Sequence, residues 1–246
     1  MKICTAFVTY NKYGGYDWTK ICVGSFRQYF PNEVLLVVDH NHNSEEREFL
    51  LNNNVVVVEN NAEQTHGKGL DVASKYARNN DFDAIIFIEP DCIISGIEWY
   101  NNLVNPLENG RSMCATFQWQ YGPLHPCGSS WLISDIPASF QTATKTAEEI
   151  FHPKYKRLMK LPELSADMLR SNYDNHLFHF FMYHWDVGIK NWFWLEVHNR
   201  AQLVNSNGFY HFWCSHKRSP KEIVRNNPCH RKDIMKWIEK SQVSFY

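Results

Sequence analysis

The chain has 246 residues, of which 44% are hydrophobic and 15% aromatic, and its 25 lysines and arginines nearly balance its 26 acidic residues. Such a chain can bury a substantial core, and without a global basic field it offers little to nucleic acids in general. No stretch approaches the roughly eighteen consecutive apolar residues of a membrane span, and the first apolar segment is too short for a signal sequence. We therefore expect a cytoplasmic protein and, because no linker composition appears, a single domain over residues 1–246.

The first half alternates between strand-like and helix-like segments. Apolar β-rich runs predict strands at residues 3–9, 34–39, 55–59 and 84–88, and helical periodicity predicts helices at residues 17–30, 44–51 and 69–79. Strands separated by about ten helical residues are typical of βαβ crossovers. This half therefore predicts a mostly parallel sheet.

The second half has a different pattern. Strands are predicted at residues 112–119, 129–134 and 191–197, and helices near residues 147–159, 174–185 and 220–240. The seven cysteines are scattered between Cys4 and Cys229 and form no C-x-x-C pair. This spacing argues against both a disulfide framework and a thiolate zinc site, so we expect most of them to be small buried residues.

Polar residues follow each predicted strand of the first half at the point where the strand ends. Because the carboxyl ends of parallel strands meet at one edge of a sheet, these residues should converge in one crevice. Two carboxylates at such an edge suit Mg²⁺ or Mn²⁺. The converging residues are Thr9, Tyr10 and Asn11, then Asp39 and His40, then residues 65–71, and finally Glu89, Pro90 and Asp91.

The segment H-G-K-G-L-D at residues 66–71 could bring backbone N–H groups close to a ligand ahead of a helix, since glycine leaves the backbone accessible. It is not a P-loop, and no G-x-G-x-x-G follows the first strand. The sequence therefore disfavours a P-loop enzyme or a dinucleotide-binding enzyme.

Four segments together resemble a known family: V-T-Y-N after the first strand, V-V-D at the second, H-G-K-G-L-D-V-A at a helix start and I-E-P-D at the fourth strand. They resemble the nucleotide-sugar-binding half of GT-A glycosyltransferases, most closely those similar to glycosyltransferase family 2. The resemblance covers residues 1–120 and extends more weakly over residues 121–216. It implies a three-layer α/β/α fold with a donor-binding half (1–120), an acceptor-binding half (121–216) and a basic carboxyl-terminal helix (217–246).

The same resemblance implies roles for single residues. Asp91 matches the last acid of a D-x-D motif, which binds Mn²⁺ or Mg²⁺ bridging the donor diphosphate. Glu89 stands at the first acid and is an alternate ligand, while Asp39 matches the residue directed at the nucleoside. The implied donor-binding residues are Thr9, Tyr10, Asn11, Asp39, His66, Gly67, Lys68, Asp71, Glu89 and Pro90.

Asp174, at the start of a predicted helix, is the candidate general base. The segment resembles the E-D that opens the corresponding helix in family 2 enzymes, with Tyr173 in place of the glutamate. An inverting transfer needs such a carboxylate within hydrogen-bond reach of the acceptor hydroxyl. A simple helix-capping role is the alternative for Asp174, and Asp186 is a rival base that better fits a turn.

A carboxyl-terminal histidine often completes the metal site in this family, and His211 and His216 both fit. We favour His211 and keep His216 as the alternate. The histidines at 176, 179 and 184 lack the H-E-x-x-H spacing of a zinc hydrolase and are interpreted as helix-face residues.

Acceptor binding is assigned to Trp119, Tyr121 and Trp131, since aromatic rings pack against the apolar faces of sugars; burial in the core is the alternative for such aromatics. Residues 216–240 carry eight lysines or arginines against three acids. A basic helix of this kind can contact an anionic membrane surface, although it is usually a solvated face.

The leading hypothesis is a metal-dependent, inverting glycosyltransferase. It would move a sugar from a UDP, GDP or dTDP donor to a saccharide or another hydroxyl acceptor. One alternative is a sugar-phosphate nucleotidyltransferase, which also uses carboxylate-bound Mg²⁺ but would need a stronger triphosphate-binding first loop. The other is a non-catalytic carbohydrate-binding protein, which would have no use for the acidic strand end together with Asp174.

Overall fold

A computed structural model describes residues 1–10, 15–40, 44–60, 65–116, 127–140, 195, 198–205 and 207–211. Within these residues the chain forms nine strands and four helices. The strands are β1 (Ile3–Tyr10), β2 (Val34–His40), β3 (Val55–Glu59), β4 (Ala84–Phe87), β5 (Cys92–Ile94), β6 (Met113–Thr116), β7 (Ser129–Leu132), β8 (Ala201–Val204) and β9 (Phe209–His211). The helices are α1 (Gly15–Tyr29), α2 (Ser44–Asn52), α3 (His66–Asn79) and α4 (Glu98–Glu108).

Seven of these strands form one mixed sheet in the order β3-β2-β1-β4-β7-β6-β8. The first four are parallel to one another, as βαβ crossovers require. β7 runs antiparallel to both β4 and β6, and β8 is parallel to β6. The predicted mostly parallel α/β sheet is therefore confirmed, and the carboxyl ends of β1, β2 and β4 lie at the same edge.

The sheet separates two apolar clusters, because successive side chains of a strand point to opposite faces. Ala6 and Val8 of β1 pack with Leu70 of α3 on one face, while Phe7 packs on the other face in the cluster that includes Trp99 of α4. Burial of a large apolar side chain such as Phe7 contributes about 1.5–3 kcal/mol. Helices therefore cover both faces and give three α/β/α layers.

The remaining two strands, β5 and β9, form a small antiparallel sheet in which Cys92 lies opposite His211 and Ile94 opposite Phe209. The Phe209 ring stacks on Trp99 of α4, with 5.0 Å between centroids. Gly208, just before β9, has φ +83°, and a Cβ atom there would lie 3.1 Å from the carbonyl oxygen of Gly96. Only glycine suits both this backbone conformation and this close approach.

The predicted strands and helices of residues 3–88 are all present, with ends shifted by at most three residues. Helix α4 was missed, because Ile97 at its start provides no side-chain cap and Pro106 lies inside it. The strand predicted at 191–197 is wrong at Leu195, which is helical. The helices predicted near 147–159, 174–185 and 220–240 lie outside the described residues. None of the described helices has the length and apolar character needed to cross a bilayer.

Candidate metal centre at the carboxyl edge of the sheet

The acidic segment after β4 turns sharply at the edge of the sheet. The Ile88 N–H still donates to the Ala6 carbonyl of β1 at 3.0 Å, and the Cys92 N–H then donates back to the Glu89 carbonyl at 3.2 Å. This turn leaves the Glu89 side chain 17% exposed and the Asp91 side chain 1% exposed. Glu89 thus lies partly exposed at the edge of the sheet, whereas Asp91 is buried.

His211 joins these carboxylates through the pairing of β5 with β9. Its Nε2 atom lies 2.9 Å from Glu89 Oε2 and 3.2 Å from Asp91 Oδ1, and its side chain is 2% exposed. The residues at 89 and 211 are 122 positions apart in the sequence, so the register of β5 and β9 creates the cluster. Glu89, Asp91 and His211 each present a ligand atom, and these atoms all lie within 4.8 Å of one another.

The electrostatics of the cluster favour a positive charge. Burial by itself lowers the pKa of His211, but the nearby Cys92, Asp91 and Glu89 outweigh that effect and raise the pKa well above the usual 6.5. The surroundings of the imidazole therefore stabilise a cation beside two carboxylates. A divalent metal ion would supply this positive charge once His211 has lost its proton.

The donor set fits Mn²⁺ or Mg²⁺ in chemistry and in spacing. Two carboxylates and one imidazole are suitable ligands for Mn²⁺, and oxygen donors suit Mg²⁺. Neighbouring ligands of an octahedral ion with bonds of about 2.1 Å lie roughly 3 Å apart. The observed separations of 2.9 and 3.2 Å from His211 Nε2 agree with that value. Only small side-chain shifts would be needed to place an ion between them.

A layer of buried thiols lies directly beside this cluster. Cys92 Sγ is 3.2 Å from Cys127 Sγ, and the Cys22 thiol donates to the Glu89 carbonyl at 3.5 Å. Burial raises the pKa of both Cys22 and Cys127, and the negative charges around them add to that effect. The five described cysteines are all buried and unbridged, as expected from the sequence, but the proximity of Cys92 and Cys127 was not predicted.

Two predicted donor-binding residues lie on neighbouring strands at the same edge of the sheet. Thr9 on β1 and Asp39 on β2 are direct partners in the sheet register, and both are buried. The Thr9 hydroxyl donates to the Val38 carbonyl at 3.3 Å, so it holds β1 to β2. Tyr10 and His40 follow as the last residues of their strands.

The amino-terminal end of α3 is also close to the cluster. His66 Nδ1 lies 3.9 Å from Glu89 Oε1, and the His66 side chain is partly exposed. The Thr65 side chain caps the helix by accepting from the Lys68 N–H at 3.3 Å. Gly67 is buried within the first turn and Lys68 is exposed. The partial positive charge of the N–H groups at this helix end therefore lies near Glu89.

Two residues of α3 make contacts that the sequence did not predict. A Cβ atom on Gly69 would lie 2.5 Å from the Val8 methyl groups, so Gly69 permits close packing of α3 against β1 rather than approach of a ligand. Asp71, assigned to donor binding, accepts from the Ser139 hydroxyl at 2.7 Å and from the Phe140 N–H at 2.5 Å. Its carboxylate anchors the segment after β7.

Trp131, assigned to acceptor binding, is 1% exposed. Its indole N–H donates to the Ser129 hydroxyl at 2.9 Å, and its ring packs edge-on against Phe140. A side chain so deeply buried offers no face to a sugar, so we assign Trp131 to the core.

Several predicted site residues lie outside the described part of the chain, and so do the basic residues 217–246. Their assignments stay predictions. These residues are Asn11, Trp119, Tyr121, Asp174, Asp186 and His216.

No family model matches the sequence, and no curated protein sequence matches it. Solved structures do match. A crystal structure of S. aureus TarS matches with a TM-score of 0.51 and 13% identity, covering 100% of this chain and 72% of that chain. Glucosyl-3-phosphoglycerate synthase from Mycobacterium tuberculosis, in complex with Mn²⁺, UDP and glucosyl-3-phosphoglycerate, matches with a TM-score of 0.50 and 12% identity, covering 99% and 81%.

Other matches cover less of the matched protein. The chain spans 46% of TarS in complex with UDP-GlcNAc and 23% of GalNAc-T7, with TM-scores of 0.43 and 0.40. At these identities structural likeness establishes the fold. The sheet order, the three layers and the matches to TarS and to the synthase together confirm the predicted architecture: the chain has the GT-A fold.

Proposed function

We propose that this protein is a metal-dependent glycosyltransferase that takes its sugar from a nucleotide-diphosphate donor. The observation that carries the proposal is the cluster of Glu89, Asp91 and His211 at the carboxyl edge of the sheet, with ligand atoms within 4.8 Å of one another. Open α/β sheets bind their ligands at this edge. The cluster would hold Mn²⁺ or Mg²⁺, which stabilises the negative charge that develops on a departing diphosphate.

The surrounding residues suit the parts of such a donor. Asp39 and Thr9 lie on neighbouring strands at the same edge, where a carboxylate can accept hydrogen bonds from a base or ribose. The first turn of α3, with His66 3.9 Å from Glu89 and Lys68 exposed, has the polarity that favours a diphosphate. These positions support a donor lying across β2, β1 and β4 with its diphosphate beside Glu89.

Asp174 is the proposed general base of an inverting transfer to a saccharide or another hydroxyl acceptor. A carboxylate in that role accepts the proton of the attacking hydroxyl on the face opposite the leaving diphosphate. The support for Asp174 is the resemblance of its segment to the base-bearing helix of family 2 enzymes. A carboxylate limited to capping the helix would have no effect on the chemical step.

UDP-sugars are the first donors to test. The M. tuberculosis synthase was crystallised with Mn²⁺ and UDP, and its fold covers 99% of this chain. GDP- and dTDP-sugars complete the panel. The protein is incubated with each donor and Mn²⁺, and release of the nucleoside diphosphate is followed with and without EDTA.

We expect slow, Mn²⁺-dependent hydrolysis of one donor class and none in EDTA. Asp174→Ala should abolish transfer to an added acceptor but keep metal-dependent nucleotide binding. Equal donor binding in EDTA would contradict the proposal, and pyrophosphate release from a nucleoside triphosphate would identify a nucleotidyltransferase instead. If Asp174→Ala transfers sugar at the normal rate, the base lies elsewhere.

A further inference from the structure

The thiols beside the candidate metal cluster belong to a second group of residues that could hold a metal ion. Cys92 and Cys127 are buried, with 3.2 Å between their sulfur atoms. Cys92, Cys127 and His211 each offer one ligand atom, and these atoms all lie within 4.8 Å of one another. His211 is thus common to two donor sets, one rich in oxygen (Glu89 and Asp91) and one rich in sulfur (Cys92 and Cys127).

The sulfur spacing is close to that of a zinc site. Two thiolates on a tetrahedral Zn²⁺ with bonds of about 2.3 Å lie roughly 3.8 Å apart. The observed 3.2 Å reaches this value if each side chain moves by about 0.3 Å. A set of two cysteines and one histidine is an established combination for zinc with an open fourth position.

The two sets prefer different cations. Thiolates select soft or borderline ions such as Zn²⁺, whereas carboxylates suit Mg²⁺ and Mn²⁺. We propose that Cys92, Cys127 and His211 form a Zn²⁺ site that competes with the oxygen-rich site for His211, so that Zn²⁺ and Mn²⁺ bind in alternative arrangements. Only the inhibitory consequence, that Zn²⁺ removes His211 from the donor site, rests on the proposed glycosyltransferase function.

Zn²⁺ binding at this site requires no change of oxidation state. Zn²⁺ displaces the protons of the Cys92 and Cys127 thiols, two protons are released, and two Zn–S bonds form. Desolvation that disfavours a lone buried thiolate is offset by the two positive charges of the ion. The alternative is that the two thiols only donate to one another as a weak S–H···S hydrogen bond.

Co²⁺ and Zn²⁺ alone are the probes, used with the fully reduced protein. Wild-type protein should show thiolate-to-Co²⁺ charge-transfer absorption that added Zn²⁺ abolishes. Cys92→Ser and Cys127→Ser should lose this band, with Zn²⁺ affinity falling on the order of 100-fold or more. Cys4→Ser is the matched control, since Cys4 is an equally buried thiol in β1, packed in the α3-side cluster, and it should keep the band.

A variant of the oxygen set separates the two sites. Glu89→Gln should lose most Mn²⁺ binding, measured by the electron paramagnetic resonance signal of free Mn²⁺, but keep the thiolate band with Co²⁺. In wild-type protein, Zn²⁺ should release bound Mn²⁺. Simultaneous binding of both ions would overturn the sharing of His211.

Zinc X-ray absorption of the wild-type protein tests the site without any variant. Two sulfur neighbours at about 2.3 Å are expected, and a shell of nitrogen and oxygen alone would overturn the proposal. The outcome is independent of catalysis. A sulfur shell in a protein that hydrolyses no donor would support the zinc site and contradict the glycosyltransferase function. Donor hydrolysis without a sulfur shell would support the glycosyltransferase function and contradict the zinc site.

Discussion

The parallel strands β3-β2-β1-β4 and the small β5–β9 sheet contribute to one site by different routes. The parallel strands come from consecutive βα units, and they place Thr9, Asp39 and Glu89 at one edge through local crossovers. The small sheet instead brings His211 to Glu89 from 122 residues away. The positions of Thr9, Asp39 and Glu89 therefore depend on chain order, whereas the position of His211 depends on one non-local strand pairing. The two contributions can be separated by substitution.

The largest effect is expected for Asp91, which lies between β4 of the parallel strands and β5 of the small sheet. Asp91→Asn removes a charge from the cluster, so Mn²⁺ affinity should fall on the order of 100-fold or more and metal-dependent nucleotide binding should fall with it. Titration calorimetry with Mn²⁺ and then with UDP measures both. Glu59→Gln is the control, because Glu59 is a carboxylate at the same edge, on β3, whose side chain is 46% exposed. A normal Mn²⁺ affinity for Asp91→Asn would show that Asp91 is not a ligand of the metal ion.

Gly69→Ala tests the parallel half alone. The new methyl group would meet Val8 at 2.5 Å, and overpacking of this kind costs about 1–3 kcal/mol. The free energy of unfolding in urea should drop by that amount, and Val8→Ala should restore part of it. Mn²⁺ affinity of the folded protein should stay within about twofold, because Glu89, Asp91 and His211 all lie outside α3. A large loss of Mn²⁺ affinity would show that packing of α3 against β1 also controls the metal cluster.

Gly208→Ala tests the small sheet alone. Gly208 has φ +83° and approaches Gly96, whereas Gly110 has φ +90° and no heavy atom within 4 Å of an added Cβ. Both substitutions to alanine should cost about 1 kcal/mol of unfolding free energy for the left-handed backbone. Only Gly208→Ala should also weaken Mn²⁺ binding, because it moves β9 against β5. Equal Mn²⁺ affinities for the two variants would show that the β5–β9 pairing does not control His211.

The last prediction concerns the pH dependence of metal binding. Neighbouring negative charges raise the pKa of His211 well above 6.5, and Mn²⁺ binds only the neutral imidazole. Mn²⁺ affinity should therefore rise with pH, by about tenfold per unit while His211 is protonated, and level off above its pKa. His211→Asn should bind Mn²⁺ weakly and lose most of this slope. An unchanged slope in that variant would assign the proton to another group.

The sequence predicted the features that follow from local order. A buried apolar run that ends in E-P-D predicted acidic ligands at the edge of the sheet, and the alternation of strands and helices predicted the parallel half. The sequence could not predict contacts between residues that strand pairing brings together from distant parts of the chain. Nothing in the cysteine spacing indicated that Cys92 and Cys127 lie 3.2 Å apart. Nor does a sequence motif reveal that Gly69 packs against Val8 or that Asp71 accepts a hydrogen bond from the Phe140 N–H.

The hydrogen bonds that Asp71 accepts affect how well ordered the candidate site is before a ligand binds. Asp71 holds Phe140 through its backbone N–H, and the Phe140 ring packs on Phe87 at 5.3 Å between centroids, at the end of β4. Helix α3, which carries Asp71, and strand β4, which leads to Glu89, are therefore linked through Phe140. If the site binds a cation and a nucleotide-sugar donor as proposed, this link lowers the conformational entropy lost on binding.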